Sequence, residues 1–299
     1  MSQQPTPPRS SRRHIALTPA PPENFEQEQA KYTAAKQTQP FYQPDPSIHE
    51  IGADEAGRGP LFGRVYSAAV ALPRNSPTFD YAAMKDSKKF TSEKKIVAVA
   101  EHIKEHSLAW SVKFADEKHI DQVNILQATQ HAMHEAIRDV CAQLNRRDKG
   151  IGLSPPCAVL LLIDGNYFNP LTVFVGGHFQ ALPYHMIEHG DAHYASIAAA
   201  SILAKVERDK YVLEMCHAHP ELEERYELSK NKGYGTKRHV DGIRMYGYSQ
   251  WHRRSFHLKQ LEVMPLQMGS AGAGISAGMS RDIRSVVLID DDENDNEHK

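Results

Sequence analysis

A chain of 299 residues with 40% apolar content has enough hydrophobic material for one large globular domain or two small ones, and no apolar segment reaches the roughly 20 residues that span a bilayer. Three cysteines, Cys141, Cys157 and Cys216, are odd in number and far apart, which argues against a disulfide framework or a thiolate metal site. The formal charge of −2 conceals an acidic C-terminus on a near-neutral remainder, and the N-terminus lacks the apolar run of a secretory signal, so a cytoplasmic location is expected, with Arg9, Arg12 and Arg13 leaving an organelle transit peptide as the alternative.

Residues 1–47 are rich in Pro, Gln and Ser and read as a disordered tail. Residues 48–54 predict a short strand and "RVYSAAVALP" a second one, stopped by Pro73, with the glycine-rich "GRGPLFG" turn between them. "FTSEKKIVAVAEHIKEHS" sets Ile96, Val99, Ala100 and Ile103 at helical spacing, with Thr91 or Ser92 as N-cap and Glu93 in the first turn. "LAWSVKFA" alternates Leu108, Trp110, Val112 and Phe114, the pattern of a half-buried strand. From Asn124 to Leu144 the spacing of Leu126, Met133, Ile137, Val140 and Leu144 predicts an amphipathic helix.

"CAVLLLIDG" is too short for an ordinary helix and apolar throughout, so it predicts a central strand buried on both faces, with Asp164 at its C-terminal tip. "HGDAHYASIAAASILAKVERDKYVLEM" places Asp191 at the start of a helix whose small residues let it lie close to a sheet. "TKRHVDGIRMYG" predicts a last helix between a Thr236 cap and a Gly247 stop. Strands followed by alternating helices and strands imply an α/β fold, a mixed sheet flanked by helices, over residues 48–265. Residues 266–299 read as a second flexible tail, Gly/Ala/Ser-rich and then acidic. Within it "SVVLIDDDEND" resembles a SUMO-interacting motif, with a solvated acidic tail as the alternative.

Acids mark the ends of these elements. Asp54 and Glu55 close the first strand, Asp164 closes the central one and Asp191 opens a helix, where the dipole favours a carboxylate. Like charges gathered in one cleft take up protons unless a cation neutralises them, and oxygen donors without cysteine suit Mg²⁺ or Mn²⁺. The glycines of "GRG" open the backbone to a ligand and Arg58 between them suits an anion, which points to a phosphate-bearing substrate. His178, His185, His189 and His193 fit no compact zinc spacing and read as surface or turn residues, although His189 and His193 flank Asp191.

Taken in order, "DEAGRGPLFG", "DSKK", "NILQAT", "LLIDGN", "GDAHYASIAAASILAKVERD", "NKGYGTKRH" and "HRRSF" closely resemble the ribonuclease HII family across nearly all of residues 50–257. The resemblance implies an RNase H-like fold with a small helical C-terminal portion. It also implies endonucleolytic cleavage of the RNA strand of RNA/DNA hybrids and incision on the 5′ side of ribonucleotides embedded in duplex DNA, leaving 3′-hydroxyl and 5′-phosphate ends. Asp54, Glu55, Asp164 and Asp191 match the family's catalytic, metal-binding acids, with two divalent ions expected. Gly57, Arg58 and Gly59 match its reader of the 2′-hydroxyl and neighbouring phosphate, and Tyr234 the ring that packs beside it. Lys88, Lys89, Lys205 and Arg208 are expected to contact phosphate, with Lys237, Arg238, Arg253 and Arg254 extending the basic track. The expected partners are hybrid and ribonucleotide-containing duplex, with no membrane, a monomeric working state and a weak protein contact through the acidic tail.

Overall fold

The computed structural model describes residues 38–74, 76–149, 158–175 and 178–257. Strand β1 (Ile48–Ala56) runs antiparallel to β2 (Val65–Ala71), which in turn pairs antiparallel with β3 (Ala109–Ala115). On its other side β1 pairs in parallel with β4 (Ala158–Asp164), and β4 with β7 (Tyr184–Ile187), giving the sheet order β3-β2-β1-β4-β7. A separate hairpin of β5 (Thr172–Val175) and β6 (His178–Ala181) lies in the connection from β4 to β7; no sequence pattern had predicted it.

The alternation of side chains in β1 and β4 divides the core. Ile51, Ala53, Leu161 and Ile163 face Met133, Ile137, Val140 and Leu144 of helix α3 (Ile125–Lys149), which follows α1 (Glu93–His106) and the short helix α2 (Glu117–Val123). The even positions face the other way, where α4 (Gly190–His193) leads into α5 (Ala195–Ala218). The close approach of α5 has a specific cause in the sequence. A Cβ at Gly52 would stand 2.2 Å from the carbonyl carbon of Ser196, so glycine on the strand and small residues on the helix together let two backbones touch. The described residues close with α6 (Pro220–Tyr226), α7 (Leu228–Asn231) and α8 (Lys237–Tyr246), the last capped by Thr236 and closed at Gly247, as its composition predicts. Among the described residues no helix is long and apolar enough to cross a membrane.

Three expectations need correction. The alternation of β3 points the wrong way: Ala109, Ser111 and Ala115 are the buried positions, whereas Phe114 is 46% exposed. The reason is that small residues let β3 lie beneath α3, and the large ones cover the other side, where the Trp110 indole donates to the Lys104 carbonyl of α1 at 3.1 Å. The helix expected from Asp191 onward is broken at Tyr194, whose extended backbone separates α4 from α5.

The packing also reaches at least ten residues ahead of position 48. Gln39 donates to the His193 carbonyl (2.7 Å) and accepts from the Ala195 N–H (2.9 Å). The Tyr42 and Gln43 N–H groups bind the buried Glu50 carboxylate, and the Tyr42 ring packs on His185 and Tyr194. This attachment is made mostly by backbone groups, which a polar composition does not reveal. The rest of the N-terminal tail, the C-terminal tail from Leu258, Cys157 and the acidic motif lie outside the described residues.

Candidate active site

Parallel pairing puts the acid-bearing strand ends side by side. Ala53 is in register with Ile163, so Asp54 and Asp164 are the next neighbours on adjacent strands and both point to the α5 face. Asp191 arrives on the first turn of α4, directly after β7, and the Gly190 N–H donates to Asp164 Oδ1 at 2.7 Å. Asp54 Oδ1 accepts the Glu55 N–H (2.6 Å), and Glu55 reaches Arg58 Nη1 at 3.1 Å.

Electrostatics tie the four together. Burial raises Asp54 well above the ordinary carboxylate range, and the charges of Glu55 and Asp164 push it further. Burial also raises Glu55, against the pull of Arg58, and raises Asp164, against hydrogen bonds from the Gly190, Asp191 and Gly165 N–H groups. Asp191 is raised by burial first, then by Asp86 and Asp164. The sequence thus brings four separated acids to one end of the sheet, in surroundings that resist their charge. Among the described residues no three His, Cys, Asp or Glu side chains stand in ready-made metal-ligand geometry, and the carboxylates are turned to the protein partners just named. The histidine run forms no such group either.

Next to the acids lies the glycine turn. Gly57 has φ +91°, and a Cβ there would meet Arg208 Nε at 2.7 Å, so both conformation and space require glycine. Arg58 is exposed. Gly59 is exposed too, and a Cβ on it would lie 3.6 Å from Tyr234 Cε1, so "GRG" and "KGYG", distant in sequence, form one surface. Lys88 and Lys89 project from a single 3-10 turn, Ser87–Lys89, and are exposed. Lys205 is half-exposed and paired with Asp209 at 2.9 Å.

Two arginines expected on the phosphate track are elsewhere. Arg208 is 3% exposed, bonded to the Lys232 carbonyl and lying 5.4 Å from the Tyr234 ring centroid. Arg253 is fully buried and donates to three carbonyls of the glycine turn. Arg254 is turned to the Ser249 carbonyl (3.2 Å) and its N–H to Asp121. Lys237 and Arg238 are exposed on α8. Two further residues join the site without a sequence expectation: Asp86, which raises Asp191, and Ser201, which lowers Asp54 against its burial and meets Ser87 at 3.1 Å. The acid at the head of "DSKK" was the available signal for Asp86; nothing marked Ser201 among the small residues of its helix.

A mixed sheet with helices on both faces and acids at the ends of its neighbouring parallel strands defines an RNase H-like protein. The sequence pattern of the ribonuclease HII family matches residues 51–259, and the chain belongs to that family. It is 42% identical over 217 residues to the ribonuclease HII of Chlorobium luteolum, covering 72% of this chain and 91% of that one. To the ribonuclease HII of Bacteroides thetaiotaomicron it is 41% identical over 209 residues, covering 70% and 90%. Among solved structures, the RNase HII of a PCNA complex from Archaeoglobus fulgidus aligns at 20% identity with a TM-score of 0.49, over 71% of this chain and 96% of that one. As a family member the protein is a ribonuclease H, a hydrolase acting on the RNA of RNA/DNA hybrids.

Proposed function

We propose that this enzyme incises duplex DNA on the 5′ side of an embedded ribonucleotide, in addition to cutting the RNA strand of longer hybrids, and leaves 3′-hydroxyl and 5′-phosphate ends. The observation that carries the reading is the gathering of Asp54, Glu55, Asp164 and Asp191 beside a surface built by Gly57, Arg58, Gly59 and Tyr234. The catalytic unit is the core from residue 38 to at least 257.

The donor set fits hard divalent cations, Mg²⁺ or Mn²⁺. All four candidate ligands are carboxylates, and burial and mutual repulsion make their shared negative charge costly until a cation offsets it. Asp54, Glu55, Asp164 and Asp191 are the residues that would hold two such ions. Bound there, the ions supply Lewis acidity at the phosphodiester and an activated water.

The chain's own groups do the rest. The Gly57–Gly59 turn offers backbone amides that its two glycines leave uncovered, suited to a 2′-hydroxyl that both donates and accepts. Arg58, already at the rim, meets the adjoining phosphate by exchanging Glu55 for it. Tyr234, 49% exposed, presents its ring to the sugar beside Gly59. Lys88 and Lys89 add backbone phosphate contacts from their turn, and Lys205 joins them only on releasing Asp209.

The test is a DNA duplex carrying one ribonucleotide, incubated with the wild type and with Asp54→Asn and Asp164→Asn. Incision 5′ of the ribonucleotide should be lost in both variants, by on the order of 10³-fold or more. Equal cutting of an all-DNA duplex, or full activity of either variant, overturns the reading.

A further inference from the structure

The segment "SQWHRRSF" follows α8, yet it is wound into the substrate-facing turns. The Gly63 N–H donates to the Trp251 carbonyl (2.8 Å), the Arg253 N–H to the Leu61 carbonyl (2.9 Å) and the Leu61 N–H to the Gly233 carbonyl (2.9 Å). Phe62 and His252 form a bridge between them. The glycine turn, the Tyr234 turn and this segment are therefore one hydrogen-bonded body.

Arg253 holds the first of these from beneath. Its Nη2 donates to the Gly57 carbonyl at 2.6 Å, Nη1 to the Arg58 carbonyl at 2.8 Å and Nε to the Gly63 carbonyl at 2.8 Å. In a trans peptide the N–H lies opposite the carbonyl, and no peptide bond among the described residues is cis. Gripping the Gly57 and Arg58 carbonyls from inside turns the N–H groups of Arg58 and Gly59 outward. A guanidinium on the carbonyl side also polarises each peptide, which strengthens its N–H as a donor. Burial lowers Arg253 to about 9, so it is charged at neutral pH.

A second chain of bonds runs to Tyr234. The Ser249 N–H donates to His252 Nδ1 (2.9 Å), so the proton of this neutral ring is on Nε2, which faces His239 Nε2 at 2.9 Å. His239 accepts there and donates from Nδ1 to the Tyr234 carbonyl at 2.9 Å. Both rings are buried, at 0% and 1% exposure for His239 and His252, with no water needed to complete the chain.

We infer that Arg253 and the His252–His239 pair are positioning residues for ribose recognition: Arg253 aims the Arg58 and Gly59 N–H groups at the 2′-hydroxyl side of the substrate, and the histidines fix Tyr234 beside them. The inference rests on the site reading given above. Its consequence is selective. A lone ribonucleotide offers one 2′-hydroxyl at one register, so loosening the turns costs most there, whereas a long hybrid offers many equivalent registers.

The experiment compares kcat/KM on a single-ribonucleotide duplex with kcat/KM on a long hybrid. Arg253→Lys keeps the charge but loses the three-pronged grip, and should lower the single-to-hybrid ratio at least about tenfold. If that variant does not fold, the His239 pair decides. His239→Asn retains a donor toward the Tyr234 carbonyl and should keep the ratio near that of the wild type. His239→Gln retains only the contact to His252 and should lower it severalfold. A folded Arg253→Lys with the wild-type ratio, or equal ratios for the two His239 variants, overturns the inference and leaves the site reading standing. A wild type that fails to incise the single-ribonucleotide duplex overturns both.

Discussion

Two regions of this molecule bury charge, and they do so in opposite ways. At the end of the sheet, Asp54, Glu55, Asp164 and Asp191 are like charges whose burial and mutual repulsion push them toward neutrality. Beneath the glycine turn, Arg253 is buried more completely than the acids, but it meets three carbonyl oxygens with good geometry. A buried charge whose partners are backbone dipoles is part of the scaffold, whereas buried charges that oppose one another are waiting for a ligand. On the function proposed above, the contrast separates residues that hold the site in shape from those that would perform its chemistry.

The comparison breaks most visibly if stability is measured at both places. Arg253→Met should lose about 3–5 kcal/mol in denaturant unfolding, since three carbonyls are left without a donor. Asp54→Asn, which relieves repulsion, should unfold at the same denaturant concentration as the wild type or a higher one in metal-free buffer. Equal losses for the two variants would erase the distinction.

A smaller effect sharpens it by pH. Burial, with His239 and Arg254 nearby, lowers His252 to about 3, below the ordinary histidine value of 6.5. Between these values the unfolded chain binds more protons than the folded one, so this contribution is complete above pH 6.5 and is lost as pH falls toward 3. At pH 4 the loss from this ring amounts to about 3 kcal/mol. Chemical denaturation at pH 7 and pH 4 should show a drop in the wild type that shrinks in His252→Asn; an identical drop in both would remove His252 from the account.

The smallest change in stability is expected at the surface. Tyr234→Ala removes a ring that is half exposed, so the unfolding free energy should shift by under about 1 kcal/mol. Incision of the single-ribonucleotide duplex should nevertheless slow by about 10- to 100-fold, with metal affinity by calorimetry unchanged. An unchanged rate would detach Tyr234 from the substrate surface.

What could be read from the sequence was local. The apolar run that ends in Asp164, the Asp54–Glu55 pair after a strand, and the helix between Thr236 and Gly247 are recorded by period and by punctuation, and the structure keeps them. The motifs in order were enough to place the chain in its family. The positions that went astray depend on which elements meet. "WSVKF" alternates whichever face is buried, and only the approach of α3 to Ala109 and Ser111 decided it. Arg208 and Arg253 look like Lys88 and Lys89 in a basic inventory, but folding carried the first two under the glycine turn and left the lysines in solvent.

The sequence by itself determined which residues are acids at element ends, where α1 starts and α8 starts and stops, and the family, because each of these is written in spacing along the chain. Tertiary structure alone decided which charges face each other, which arginines are buried and which stay exposed, and how Gly59 comes to stand beside Tyr234. The physical reason is that burial and hydrogen-bond partnership belong to pairs of surfaces, and no single segment carries that information until another segment packs against it.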